Sequence, residues 1–246
     1  MRKTFCAALS ILFISSVSTA FGADFWETKE YTKWSSKECG KMLENSPWAK
    51  DFSLVAAGLQ RSAGASDDGQ QFYIKYQLQF RSALPVRQAL VRQMQIAQKY
   101  DSLSPEQKQQ FDKSAESFLS SNFPDAVILY VTYDTNSQSI ARELDRHWQS
   151  RTADLLRNTV FLRNSRGQQV ALAQFAVSQG SERSFQFIFP RKVDGEPFLK
   201  ADDKSLQLEF SYPVVSAPGG GGSLGDGRAF VEFKPQKMIF KGDLVY

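Results

Sequence analysis

The chain has 246 residues, a formal charge of +4, one His and two Cys. That length supports one large domain or two small ones, and 42% hydrophobic with 23% charged content excludes wholesale disorder. One His and two Cys are too few for multi-His metal centres, zinc ribbons or a disulfide scaffold, and so mild a charge leaves no footprint for nucleic acid.

Residues 1–23 have the layout of a secretory signal. Arg2 and Lys3 form a basic start, an apolar stretch follows, and Ala20 and Gly22 put small residues at −3 and −1 of a cleavage site after Gly22. The stretch is too short for a permanent membrane helix, and no later segment reaches that length, so the exported chain is expected to hold no transmembrane helix. Loss of the leader removes Cys6 and leaves Cys39 as the single thiol, expected to be buried and inert.

Residues 24–49 hold three of the four Trp, at 26, 34 and 48. Ser35 and Glu38 fit a capping box, which starts a helix over 36–44, and Pro47 prevents its continuation. The pattern Trp34-Ser35, Glu38, Met42-Leu43 and Ser46-Pro47-Trp48-Ala49 resembles an N-terminal signature of uncharacterised exported proteins of soil bacteria. The resemblance implies export; it brings no activity, cofactor or residue role.

A strand is expected at 52–59, then a turn-rich stretch at 61–70. Phe72, Ile74, Tyr76, Leu78 and Phe80 alternate with Tyr73, Lys75, Gln77, Gln79 and Arg81, a strand with one face in a core. Pro85 and the Ser104-Pro105-Glu106-Gln107 cap open two amphipathic helices, a helical hairpin over 85–121. The apolar run 126–133 predicts a strand buried on both faces, with the hairpin as one cover. A third helix is expected over 139–156. Short strands follow at 160–163, 169–177, 184–189, 205–212, 228–233 and 238–246. A turn at 164–167 and a connection at 217–227 holding six Gly separate some of them.

Candidate chemistry is sparse. Residues 220–225 match G-x-G-x-x-G, but a strand and not a helix follows, so phosphate binding is not expected. Glu143 and His147 are four residues apart on a helix, where a surface ion pair outweighs a catalytic base. Asp67-Asp68 and Asp202-Asp203 lack the ligand spacing of a calcium loop and are expected in solvated turns. The aromatic group Trp26, Tyr31, Trp34 and Trp48 is the candidate ligand face, weighed against docking of the N-terminal helix onto the rest of the fold.

The expected fold is α+β: an antiparallel β-sandwich over 50–246 with helical insertions at 85–121 and 139–156, and a short helical segment, 24–49, docked outside. No cofactor and no metal is expected. The leading function is an exported, periplasmic or extracellular, non-enzymatic protein that binds or scaffolds an envelope macromolecule, either a protein or a glycan. The alternatives are a glycan or small apolar ligand held by aromatics, and a hydrolase with paired carboxylates.

Overall fold

The computed structural model describes residues 24–56, 71–216, 223–224 and 227–246. The expected leader, the Asp67-Asp68 pair and most of the glycine run lie outside the described residues. Helices and antiparallel strands make up an α+β fold. No helix of the described residues is long and apolar enough to cross a membrane.

The N-terminal segment forms helices α1 (Phe25–Thr28) and α2 (Ser36–Glu44), with a 3-10 turn, Tyr31–Lys33, between them. The capping box is complete. Ser35 Oγ accepts from the Glu38 N–H, and Glu38 accepts from the Ser35 N–H at 2.7 Å. Glu38 also accepts from Lys29 Nζ at 2.8 Å; that bond, then the Ser35 N–H, lowers its pKa to about 2. At the other end, the orphan carbonyls of Leu43 and Glu44 accept from Gln77 and Gln79 side-chain amides.

Those glutamines belong to the larger sheet. Strands β1 (Ala49–Ala56), β2 (Phe72–Phe80), β3 (Ala126–Thr135), β6 (Gln174–Val177) and β7 (Ser184–Pro190) lie in the order β1-β2-β3-β7-β6, every pair antiparallel. The register sets Tyr76 opposite Tyr133, Leu78 opposite Val131, and Leu129 opposite Phe187. All six are buried and line one face. The second sheet uses β4 (Val160–Asn164), β5 (Gln169–Ala171), β10 (Leu206–Ser211) and β13 (Arg228–Phe233) in the order β13-β10-β4-β5. Three small hairpins complete the strands: β8 (Lys192–Val193) with β9 (Glu196–Pro197), β11 (Val215–Ser216) with β12 (Ser223–Leu224), and β14 (Ile239–Phe240) with β15 (Asp243–Leu244).

The two sheets share an aromatic core. The Phe210 ring on β10 lies 5.7 Å from Tyr76 and 5.9 Å from Phe187, and Phe233 lies 4.8 Å from Phe80. Two aromatics at such spacing add to the area they bury. Helix α5 (Gln138–Gln149) supplies Trp148, whose ring lies 4.1 Å from Phe185 on the same inner face.

Four expectations need correction. The strand expected at 169–177 is two strands: the Leu172 N–H bonds Val160 and the Ala173 N–H bonds Ile188, so the chain changes sheets between them. Alternation alone cannot name the partner strand. The helix expected at 139–156 stops at Gln149 and restarts as α6 (Ala153–Leu156) under a Thr152 cap. The strand expected at 238–246 is the β14–β15 hairpin, turned by Lys241 and Gly242 with φ of 52° and 90°. Two positive φ values match a hairpin's right-handed twist.

The fourth correction concerns β3. Its inner face is fully buried, but on the outer face Ile128 and Thr132 are only half-buried. The outer side of Tyr130 is covered by Arg81, whose guanidinium lies 3.9 Å from the ring, and its hydroxyl bonds Glu182 and Ser184. The helical hairpin packs instead through α3 (Leu84–Ala97) against α2, with α4 (Pro105–Ser120) lying against α3.

Candidate functional site

Three of the four residues assigned to a ligand face are core side chains. Trp34 and Trp48 are 0% exposed and Trp26 is 5% exposed. Trp34 Nε1 donates to the Lys29 carbonyl at 3.0 Å, and Trp48 Nε1 donates to the Val245 carbonyl at 2.7 Å. Trp26 meets Trp48 edge-on at 5.9 Å. The Trp34 and Trp48 indoles have no free surface and satisfied N–H groups, and Trp26 packs against Trp48, so these three rings dock the N-terminal segment onto the fold. Tyr31 alone stays half-exposed and lines a groove.

His147 is not paired with Glu143. It bonds the Arg151 guanidinium, 3.1 Å from Nδ1. Burial, then the Arg151 charge, lowers its pKa to about 4. The unfolded imidazole binds a proton near pH 6.5 and the folded one only near 4, so His147 removes stability as pH falls through that window. His147→Gln is therefore expected to retain more of its neutral-pH melting temperature at pH 4.5 than the parent does. Parallel thermal melts at pH 7.5 and 4.5 check this, and equal losses in both proteins would contradict it.

Asp203 is not in a solvated turn. It is 2% exposed, pairs with Arg166, and accepts from the Lys200 N–H at 2.8 Å and the Ser165 hydroxyl at 2.9 Å. It fastens two loops from a buried position. Cys39 is fully buried, and burial first of all raises its thiol pKa to about 11, which makes it a poor nucleophile. No group of three or more His, Cys, Asp or Glu residues among the described residues is placed to hold a metal.

The surface that stands out is the helical hairpin. Both of its caps form as the sequence implies: Pro85 sits in the first turn of α3, and Ser104 and Gln107 close a capping box on α4. Arg87 reaches from α3 to the far end of α4 and donates to the Phe118 carbonyl at 3.0 Å and to that of Ser121. This satisfies C-terminal carbonyls and places a cation at the negative end of the dipole. Yet none of the 16 residues of α4 is fully buried. Its apolar stripe, Phe111, Ala115, Phe118 and Leu119, is only half-covered.

The uncovered part of that stripe faces α3 across a cleft of about 420 Å³. Val91, Met94, Leu103, Phe111 and Phe118 supply apolar walls; Gln98, Gln107, Gln110 and Ser114 supply neutral polar groups. No charged side chain lines it. Met94 is 44% exposed, and its flexible thioether suits a surface that must fit varied shapes. Such a lining offers apolar contact and neutral hydrogen bonding. A separate, more polar groove runs along α4 beside Tyr31. The sequence revealed the amphipathic helices but not the cleft, because its depth depends on how far apart the helices lie. Comparison with protein-family models, curated proteins and solved structures gives no match.

Proposed function

We propose that the chain is an exported, non-enzymatic protein that binds a macromolecular partner in the cell envelope, with the α3–α4 cleft as the docking surface. The observation that carries this reading is α4 itself: an apolar stripe with no fully buried residue, open to an uncharged cleft. Apolar side chains of an amphipathic partner helix would complete the burial that the chain leaves unfinished. The leader-like start and the N-terminal resemblance support export.

Two substitutions test the surface. Met94→Asp and Ser114→Asp put a charge into the cleft at exposed positions. Each is expected to shift folding stability by no more than about 0.5 kcal/mol. Each is expected to abolish partner recovery from envelope extract. Undiminished recovery by both variants would refute the cleft as the docking surface. A small apolar ligand is the second reading, favoured by a cleft volume within the usual range for small-molecule sites. Mass analysis of an organic extract of the purified protein separates the two: a stoichiometric apolar compound supports the ligand, and none supports the partner.

A further inference from the structure

The first turn of α3 gathers positive charge with no carboxylate side chain to balance it. Its N-cap is Ala83, which has no side-chain acceptor for the orphan N–H groups, and no acidic residue lies in that turn. A helix N-terminus carries partial positive charge of its own. Two guanidiniums, Arg87 and Arg191, line a cavity of about 220 Å³ there, together with Ser82 and Leu84. Neither arginine forms a salt bridge among the described residues. Burial first, and then the Arg191 charge, lowers the Arg87 pKa, so the two cations lie close enough to repel.

Arg87 is 5% exposed, yet its Nε–H is a buried donor with no acceptor among the described residues. Native proteins rarely leave such a group unmet. Only its Nη1 is satisfied, by the Phe118 carbonyl at 3.0 Å and by that of Ser121. Arg191 spends Nε on the Phe123 and Ala126 carbonyls, at 2.8 and 3.2 Å, and Nη2 on the Tyr246 main-chain oxygen. Its Nη1 has no partner among the described residues. Aromatic rings cover the flat faces: Phe123 lies 5.2 Å from the Arg87 guanidinium and Tyr246 4.2 Å from that of Arg191. Each cation is held in place with N–H groups left over for an acceptor.

We infer that this cavity binds a small organic carboxylate. Its charge offsets two buried guanidiniums and an uncapped helix N-terminus at once, and its two oxygens match the planar fork of an arginine. The remaining walls favour an apolar body behind that charge, since Leu84, Phe123, Pro124 and Val245 also line the cavity. The volume lies below the usual range of drug-sized sites, so the ligand is small. Other classes fit less well. A cation meets like charge, and a neutral sugar leaves the guanidiniums unbalanced. Inorganic phosphate, hydrated on every side, gains nothing from the apolar walls.

The test titrates the full chain, followed by amide NMR, with benzoate, with isovalerate, with the neutral isostere benzamide and with inorganic phosphate. The carboxylates are expected to give saturable shifts around residues 82–87, 122–124, 191 and 244–246. Benzamide is expected to bind at least about tenfold more weakly than benzoate, through the lost charge-assisted hydrogen bonds. Arg191→Gln is expected to weaken benzoate binding by a similar factor. The contrast between benzoate and benzamide is read on the parent chain, so it stands even where that variant fails to fold. No saturable shifts with either carboxylate, equal affinity for benzamide, saturation by phosphate alone, or a folded Arg191→Gln that binds benzoate as the parent does would overturn the inference. The cavity shares no lining residue with the α3–α4 cleft, so each outcome leaves the partner reading untouched.

Discussion

Trp48→Ala is expected to destabilise the protein by about 3–5 kcal/mol, the usual cost of deleting a buried large aromatic. Trp48 is fully buried, touches Trp26 and Phe240 edge-on, and caps the Val245 carbonyl 197 residues away. The alanine variant would lose ring contacts and leave that carbonyl without its donor. Trp48→Phe retains much of the apolar volume and should recover much of the loss. Urea titrations of the three proteins give the comparison, provided the slopes agree. An unchanged midpoint for Trp48→Ala would mean that the N-terminal segment does not depend on the rest of the fold.

The second large effect concerns contact between the sheets. Phe210→Ala is expected to cost about 3–5 kcal/mol, because its ring meets Phe52 and Tyr76 and Phe187 from the opposing sheet. Phe230, on the adjoining strand β13, gives the control. It is 53% exposed, and Phe230→Ala should stay within about 0.5 kcal/mol. Similar midpoints for the two variants would contradict a core shared between the sheets.

Much of this architecture was legible wherever local rules decide the outcome. Ser35 with Glu38 and Ser104 with Gln107 placed two helix starts, because a cap's hydrogen bonds close within four residues. The alternation from Phe72 to Phe80 placed β2 and its buried face. The misreadings arose where distant partners decide. The run 126–133 looked buried on both sides, yet the outer cover of Tyr130 comes from Arg81 and from Glu182 and Ser184, none of them near in sequence. Three Trp in 23 residues favoured a docking face but left a ligand face open. Only the acceptors at Lys29 and Val245 and the zero exposure of Trp34 and Trp48 decide for docking. The candidate sites were the least legible. Glutamines and half-covered apolar residues on α3 and α4 are ordinary helix composition, and they become clefts only through the way α4 lies against α3.

The most direct measurement is photo-crosslinking in living cells, with a photoreactive phenylalanine at Met94 in one strain and at Val214 in another. Both positions are well exposed, but only Met94 lies on the cleft. An adduct from the Met94 strain that is absent from the Val214 strain is the predicted result. Adducts of equal yield at both positions, or an adduct at Val214 alone, would contradict the hairpin cleft as the partner-binding surface.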